Sequence, residues 1–169
     1  LESQIEQILI SAIYGARKNL TLTTPYFVPS ESLLYALKAA AYRGVVVTLI
    51  VPARVDSRLT QAASQAFLQE LVIAGVHVAL YEAGMLHTKS VTVDGAVSLF
   101  GSLNLDPRSL RINFEITLAI YEKAFADSLM GLQNEYLQHS RWFTVDDFKK
   151  QNFLTKIKQD LARLASPLL

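Results

Sequence analysis

The 169-residue chain has no cysteine, which excludes disulfides, thiolate metal sites and a cysteine nucleophile. An excess of one charge is also missing. Sixteen basic residues against 15 acidic give a net charge of +1, so the broad basic footprint of a nucleic-acid binder is absent. No apolar run reaches the roughly 20 residues that a bilayer-spanning helix requires. No signal-peptide pattern opens the chain, which starts at Leu1. The expectation is therefore a soluble or peripheral domain of a longer protein, with any membrane anchor outside this chain. What is present is apolar. Hydrophobic residues make up 51% of the chain and charged residues 18%, enough at this length to bury one sizeable core.

Apolar residues at helical spacing alternate with short β-branched runs. Ile5, Ile8, Leu9, Ala12 and Ile13 predict a helix, and Leu20–Thr24 a strand. Pro25-Tyr26-Phe27-Val28-Pro29 is a loop, because two prolines cannot sit in a central ladder. Ser30 is placed to cap a helix carrying Leu33, Leu34 and Leu37, with Gly44 just past its end. The run from Val45 to Val51 predicts a strand buried on both faces. A helix from about Arg58 to Ala74 follows, then strands at 76–81, 88–93, 97–100 and 114–121. Helices near 124–138 and 152–165 close the chain. The pattern predicts one domain of the α/β class, an α/β/α sandwich with a mixed, mostly parallel sheet flanked by helices.

The chemistry concentrates between Met85 and Glu115. His87-Thr88-Lys89 is followed by Asp94, and then by Gly101-Ser102-Leu103-Asn104. On an extended strand His87 and Lys89 share a face. Asp94-Gly95 is a two-residue hairpin signal; that loop sets His87 opposite Ser102, and a slipped one sets it opposite Asn104. Either register gathers an imidazole, an ammonium and small polar groups at one end of a sheet. Such a set suits attack on a phosphodiester. Neutral His87 can act as nucleophile at phosphorus. Lys89 would neutralise phosphoryl oxygens, with Ser102 and Asn104 donating hydrogen bonds as charge builds; losing one such donor typically costs about 3 kcal/mol, near a hundredfold in rate. Glu115 is the candidate to hold the second imidazole nitrogen. Asp94 is expected to support the turn or to stand beside Lys89.

His87-x-Lys89-x4-Asp94 followed by Gly101-Ser102-x-Asn104 resembles the HKD motif of the phospholipase D superfamily. The text around it resembles bacterial cardiolipin synthases: Thr24-Pro25-Tyr26-Phe27-Val28-Pro29, Pro52-Ala53-Arg54-Val55-Asp56-Ser57-Arg58, Asn104-Leu105-Asp106-Pro107-Arg108-Ser109 and Asn113-Phe114-Glu115. The likeness covers nearly the whole chain and corresponds to the C-terminal half of such an enzyme. It implies a site completed by a second HKD half, from the rest of the protein or from a homodimer. It implies that one His forms a phosphatidyl-enzyme while the other serves as acid and base. It implies two phosphatidylglycerols giving cardiolipin and glycerol, without metal or cofactor, at the bacterial cell membrane. By the same resemblance His87, Lys89, Ser102, Asn104 and Glu115 occupy active-site positions. Which His is the nucleophile stays open, because only one motif is present.

Other signals are weaker. Tyr26 and Phe27 can line a lipid or glycerol pocket or plug the sheet edge. Arg54, Arg58, Arg108 and Arg111 can grip a lipid phosphate; Arg108, just past Asn104, is the candidate carried forward. His77 and His139 have no motif context. The last helix projects Phe153, Leu154, Ile157, Leu161, Leu164 and Leu168 onto one stripe beside Lys156, Lys158 and Arg163, suited either to its own core or to an anionic membrane surface. Two competing functions remain: a phospholipase D-like hydrolase or nuclease acting as a homodimer, and a lipid-binding module without catalysis. Near-zero net charge disfavours nucleic acid as the partner.

Overall fold

The computed structural model describes residues 4–149 and Ala162, apart from the side chain of Arg58. The expected helix at 152–165, with its apolar stripe, lies outside the described residues. The elements in chain order are α1 (Gln4–Gly15), β1 (Asn19–Thr23), α2 (Glu31–Tyr42), β2 (Val46–Pro52), α3 (Arg58–Ile73), β3 (His77–Tyr81), β4 (Ser90–Val93), β5 (Val97–Gly101), α4 (Pro107–Arg111), β6 (Thr117–Ile120), α5 (Lys123–Gln138), β7 (Ser140–Phe143) and α6 (Val145–Lys149). Local chemistry sets their ends. Ser30 Oγ accepts from the Leu33 N–H at 3.1 Å and Ser57 Oγ from Thr60 at 3.2 Å, each capping a helix. Gly44 and Gly75 close α2 and α3 with φ of +85° and +93°, a conformation that a Cβ would strain.

Seven strands form one sheet in the order β6-β5-β4-β1-β2-β3-β7. The mixed sheet flanked by helices is as the sequence predicts, but its balance is not. Only β1–β2 and β2–β3 are parallel, whereas β1–β4, β4–β5, β5–β6 and β3–β7 are antiparallel. The reason is that helical crossovers connect only the first three strands. After β3 the chain enters β4 with no helix between and runs the other way, β4 and β5 form a hairpin, and α4 and α5 lie on the connections to the two edge strands β6 and β7. The sequence reading does not include the strand β7 or the short helices α4 and α6: helices of five residues are too short to show a 3.6-residue period, and Ser140-Arg141-Trp142-Phe143 has no β-branched run.

One face of the sheet is apolar. Leu20, Leu22, Val47, Leu49, Val78 and Val91 bury against Leu9 and Ile13 of α1, Leu33 and Leu37 of α2, and Phe67 of α3. The opposite face lies under α5 and is unusually polar: Thr23, Thr48, Ser90, Thr92 and Ser98 are all buried there. Gln133 of α5 reaches into it, donating to Ser90 Oγ at 3.2 Å and accepting from Thr92 Oγ1 at 3.1 Å. These bonds offset the desolvation of the amide and hold α5 at a fixed height above β4. Among the described residues, no helix is long and apolar enough to cross a membrane.

Candidate active site

The carboxyl ends of β1, β2 and β3 point the same way, and the start of β4 and the end of β5 lie at that same edge. In open α/β sheets this edge is where ligands bind. The loop after β1 is tied to the loop after β5. Thr24 Oγ1 donates to the Tyr26 carbonyl at 2.8 Å and accepts from Leu105 N–H at 3.3 Å, while Val28 N–H donates to the Leu105 carbonyl at 2.8 Å. That clamp fixes Asn104 and Asp106 on either side of Leu105. Asp106 then caps α4, accepting from Ser109 N–H at 2.7 Å with Pro107 at the first helical position.

The β4–β5 hairpin takes neither register expected from its sequence. Val93 pairs with Val97, leaving 94–96 as the loop. Asp94 and Gly95 adopt φ of +52° and +65°, and Ala96 N–H closes the turn on the Val93 carbonyl at 3.0 Å. Ala96 is the extra residue. The register therefore sets Lys89 against Gly101, whose N–H meets the Lys89 carbonyl at 3.4 Å, and His87 lies beyond the ladder. Lys89 is half-buried, and its Nζ folds back to donate to the His87 carbonyl at 2.8 Å. Thr88, between the two, shares a 2.7 Å hydrogen bond with the Tyr136 hydroxyl of α5. The His-x-Lys segment is thus held from both sides. The His87 ring is exposed and lines an open cleft of about 320 Å³ with Pro25, Tyr26, Pro52, Arg54 and Met85.

Ser102 and Glu115 meet where β5 hands over to β6. Ser102 Oγ accepts from Ile116 N–H at 3.1 Å and donates to a Glu115 carboxylate oxygen; Asn113 Nδ2 donates to the other oxygen at 3.2 Å. Gly101 makes this approach possible, since a Cβ there would lie 2.0 Å from the Ile116 carbonyl oxygen. Burial pushes the Lys89 ammonium below the ordinary lysine range, and the nearby Glu115 and Asp106 carboxylates oppose that shift. Lys89, Glu115, Asp106 and Ser102 are accordingly one electrostatic cluster. Asn104 is half-buried and donates from Nδ2 to Ser109 Oγ at 3.2 Å.

Two expectations need correction. Asp94 does not stand beside Lys89. It lies at the far end of β4, five residues on and roughly 17 Å along an extended chain. There its carboxylate accepts from Lys18 and Asn19 N–H at 2.7 and 2.9 Å on Oδ1, and from Arg17 N–H at 3.0 Å on Oδ2. Partial burial pushes its pKa up, but those three donors outweigh it and hold the carboxyl below the usual aspartate range. Asp94 is a clamp on the entry to β1. Glu115, for its part, makes no hydrogen bond to the His87 imidazole; its oxygens go to Ser102 and Asn113 because the β5–β6 junction draws it there. Arg108 is exposed on α4, with no ion pair among the described residues. Sequence reasoning missed Thr24, Asp106 and Tyr136. The Asp-Pro pair announces a helix start and made Asp106 findable, whereas nothing local marks Tyr136.

The fold is that of phospholipase D family members. Nuc of Salmonella typhimurium superposes with a TM-score of 0.74 at 22% identity, over 82% of this chain and 90% of its own. The phosphatidylserine synthase of Haemophilus influenzae Rd KW20 superposes with a TM-score of 0.78 at 21% identity, over 100% of this chain and 46% of its own. The chain belongs to the cardiolipin synthase, PLD-like domain family, whose pattern matches residues 9–136. It is 50% identical over 168 residues to cardiolipin synthase A of Proteus mirabilis and 49% identical to that of Escherichia coli O157:H7. Each alignment covers 99% of this chain and 35% of the relative, so the chain spans about a third of the curated relatives' length.

Proposed function

We infer that this domain is the C-terminal HKD half of a phosphatidyltransferase that joins two phosphatidylglycerols into cardiolipin and releases glycerol. The observation that carries the reading is an exposed His87 whose chain segment is locked by Lys89 and Tyr136, beside a half-buried ammonium and hydrogen-bonding groups suited to phosphoryl oxygens. An imidazole nitrogen attacks phosphorus, and the bond to the leaving glycerol oxygen breaks. A second imidazole gives that oxygen its proton. The phosphohistidine is then attacked by the hydroxyl of a second phosphatidylglycerol, whose proton returns to the second imidazole. One His cannot do both tasks, because it must be neutral to attack and protonated to donate. Lys89, Ser102 and Asn104 stabilise the charge that builds on the phosphoryl oxygens between these states. Asp94 contributes only through the fold.

The second imidazole comes from another HKD half. An exposed apolar strip supports its docking here: Ile112, Phe114, Ile116, Leu118 and Tyr121 crowd the outer edge formed by β6 and the segment leading into it, next to Glu115. Edge strands with such faces are normally covered. About two thirds of the relatives' length lies outside this chain and supplies the cover. The enzyme would work at the bacterial membrane, anchored through that remaining part.

The test uses the full parent protein with phosphatidylglycerol vesicles in EDTA, its lipid products followed by mass spectrometry. Cardiolipin and glycerol are expected from the wild type and none from His87→Asn. Phosphatidic acid as the sole product would replace the transferase by a hydrolase. Equal products from the variant would remove His87 from the site.

A further inference from the structure

We propose that the cleft bordered by His87 is the subsite for the acceptor lipid's glycerophosphate headgroup, with Arg54 binding its phosphate and Asp56 its free glycerol hydroxyl. The inference rests on the transferase reading above and adds where the second lipid lies. The cleft is built by three loops at one edge of the sheet. Pro25 and Tyr26 follow β1, Arg54, Val55 and Asp56 follow β2, and the segment ending in Leu86 and His87 follows β3. None of the Lys89, Ser102, Asn104 and Glu115 cluster lines it. The site is thereby divided, with phosphoryl-stabilising groups on the β4–β6 side of His87 and this cleft on the β1–β3 side.

Size and chemistry agree with a headgroup and not with an acyl chain. About 320 Å³ stands at the low end of the range that small-molecule clefts occupy. Its walls are Pro25, Pro52, Val55 and Leu86, and its polar groups are a phenol, a guanidinium, a carboxylate and the imidazole. Arg54 and Asp56 are exposed, and neither forms an ion pair with the other or with the remaining described residues. Opposite charges two residues apart that do not pair can both address a ligand carrying an anion and a hydroxyl. A guanidinium matches a phosphate through two parallel N–H donors, and a carboxylate accepts from an alcohol. A headgroup held there has its hydroxyls in the same cleft as His87.

This arrangement separates two acceptors by chemistry. Phosphatidylglycerol presents phosphate and hydroxyls together, free glycerol presents hydroxyls alone, and water presents neither. Arg54 therefore matters for the lipid acceptor and not for glycerol, while Asp56 matters for both.

The experiment uses the parent enzyme with vesicles of phosphatidylglycerol and phosphatidylcholine, with and without isotopically labelled glycerol. It reads three products: cardiolipin, phosphatidic acid and labelled phosphatidylglycerol. For Arg54→Ala the ratio of cardiolipin to phosphatidic acid is expected to fall about ten-fold, as for loss of one charge-assisted contact, with the glycerol-exchange ratio within two-fold. Arg54→Lys should recover part of the loss, since it keeps the charge without the fork. Asp56→Asn should lower both ratios. Wild-type product ratios in Arg54→Ala and Asp56→Asn, with cardiolipin still formed, would overturn the subsite and leave the transferase intact. A wild-type parent that forms no cardiolipin would overturn the transferase and the subsite with it.

Discussion

Replacing Asp94 by Asn separates a structural aspartate from a chemical one. Asn tolerates the left-handed φ of +52° at this position, so the turn itself is not strained by the change. The electrostatics do change. In the wild type, Oδ1 accepts from Lys18 and Asn19 and Oδ2 from Arg17. An amide oxygen can keep the first two bonds as neutral contacts of roughly half the strength, but the amide nitrogen faces the Arg17 N–H donor to donor. Hydrogen bonds to a charged group contribute about 1.5–3 kcal/mol each. Water reaches this carboxylate, so the low end applies, and the expected net loss is about 1.5 kcal/mol. With an m value of about 2 kcal/mol/M in urea, the midpoint should fall by about 0.7 M. Trp142, the only tryptophan in the chain, lies on β7 and reports the transition by fluorescence. The pH dependence has a definite sign. A carboxylate held below its unfolded value stabilises fully above about pH 4 and loses that contribution as the pH falls through its lowered native pKa. The gap between wild type and variant should therefore be flat from pH 7 to about 5 and close below about 4. In the parent enzyme, turnover per folded molecule should be unchanged. A variant as stable as wild type that had lost turnover would refute the clamp and return Asp94 to the chemistry.

Two further perturbations test the site's construction. Gly101→Ala drives a Cβ into the Ile116 carbonyl and should cost about 3 kcal/mol, read as a lower melting temperature, while displacing Glu115 from Ser102; melting at the wild-type temperature would refute the close approach. For Lys89, burial lowers the ammonium's pKa, so the alkaline limb of kcat should fall below the ordinary lysine value of 10.5 as the proton is lost. Lys89→Arg should remove that limb within the accessible range at reduced activity. An unchanged limb in the variant would assign it to another group.

The chain's own residues explain which parts of this architecture could be read in advance. Helix starts at Ser30 and Ser57 are written in single side chains that bond to the backbone three residues on, and β2 is written in five consecutive buried residues, Val47–Val51. His87, Lys89, Ser102 and Asn104 stand out in the sequence for a related reason, since the site proposed above needs specific residue types close together on a hairpin. The register of that hairpin was not legible. Whether Asp94-Gly95 closes a loop of two residues or three depends on what else Asp94 can bond, and its partners are the Arg17, Lys18 and Asn19 amides more than seventy positions away. Glu115 was misassigned on the same account: its nearest partner is fixed by how closely β6 approaches Gly101, a tertiary distance with no local signature. The sheet's antiparallel majority also follows from chain reversal after β3, where no helix intervenes to carry the strand back parallel. Function tracks this division. The groups proposed to do the chemistry lie close together in the sequence, whereas the groups that hold their segments, Thr24 on Leu105, Tyr136 on Thr88 and Asp94 on the entry to β1, act across the sheet and become visible only in three dimensions. The segment that carries His87 is held at 2.7 Å by a helix on one face and at 2.8 Å by its own lysine, so on the reading proposed above its imidazole is preorganised before substrate arrives and needs little rearrangement during turnover.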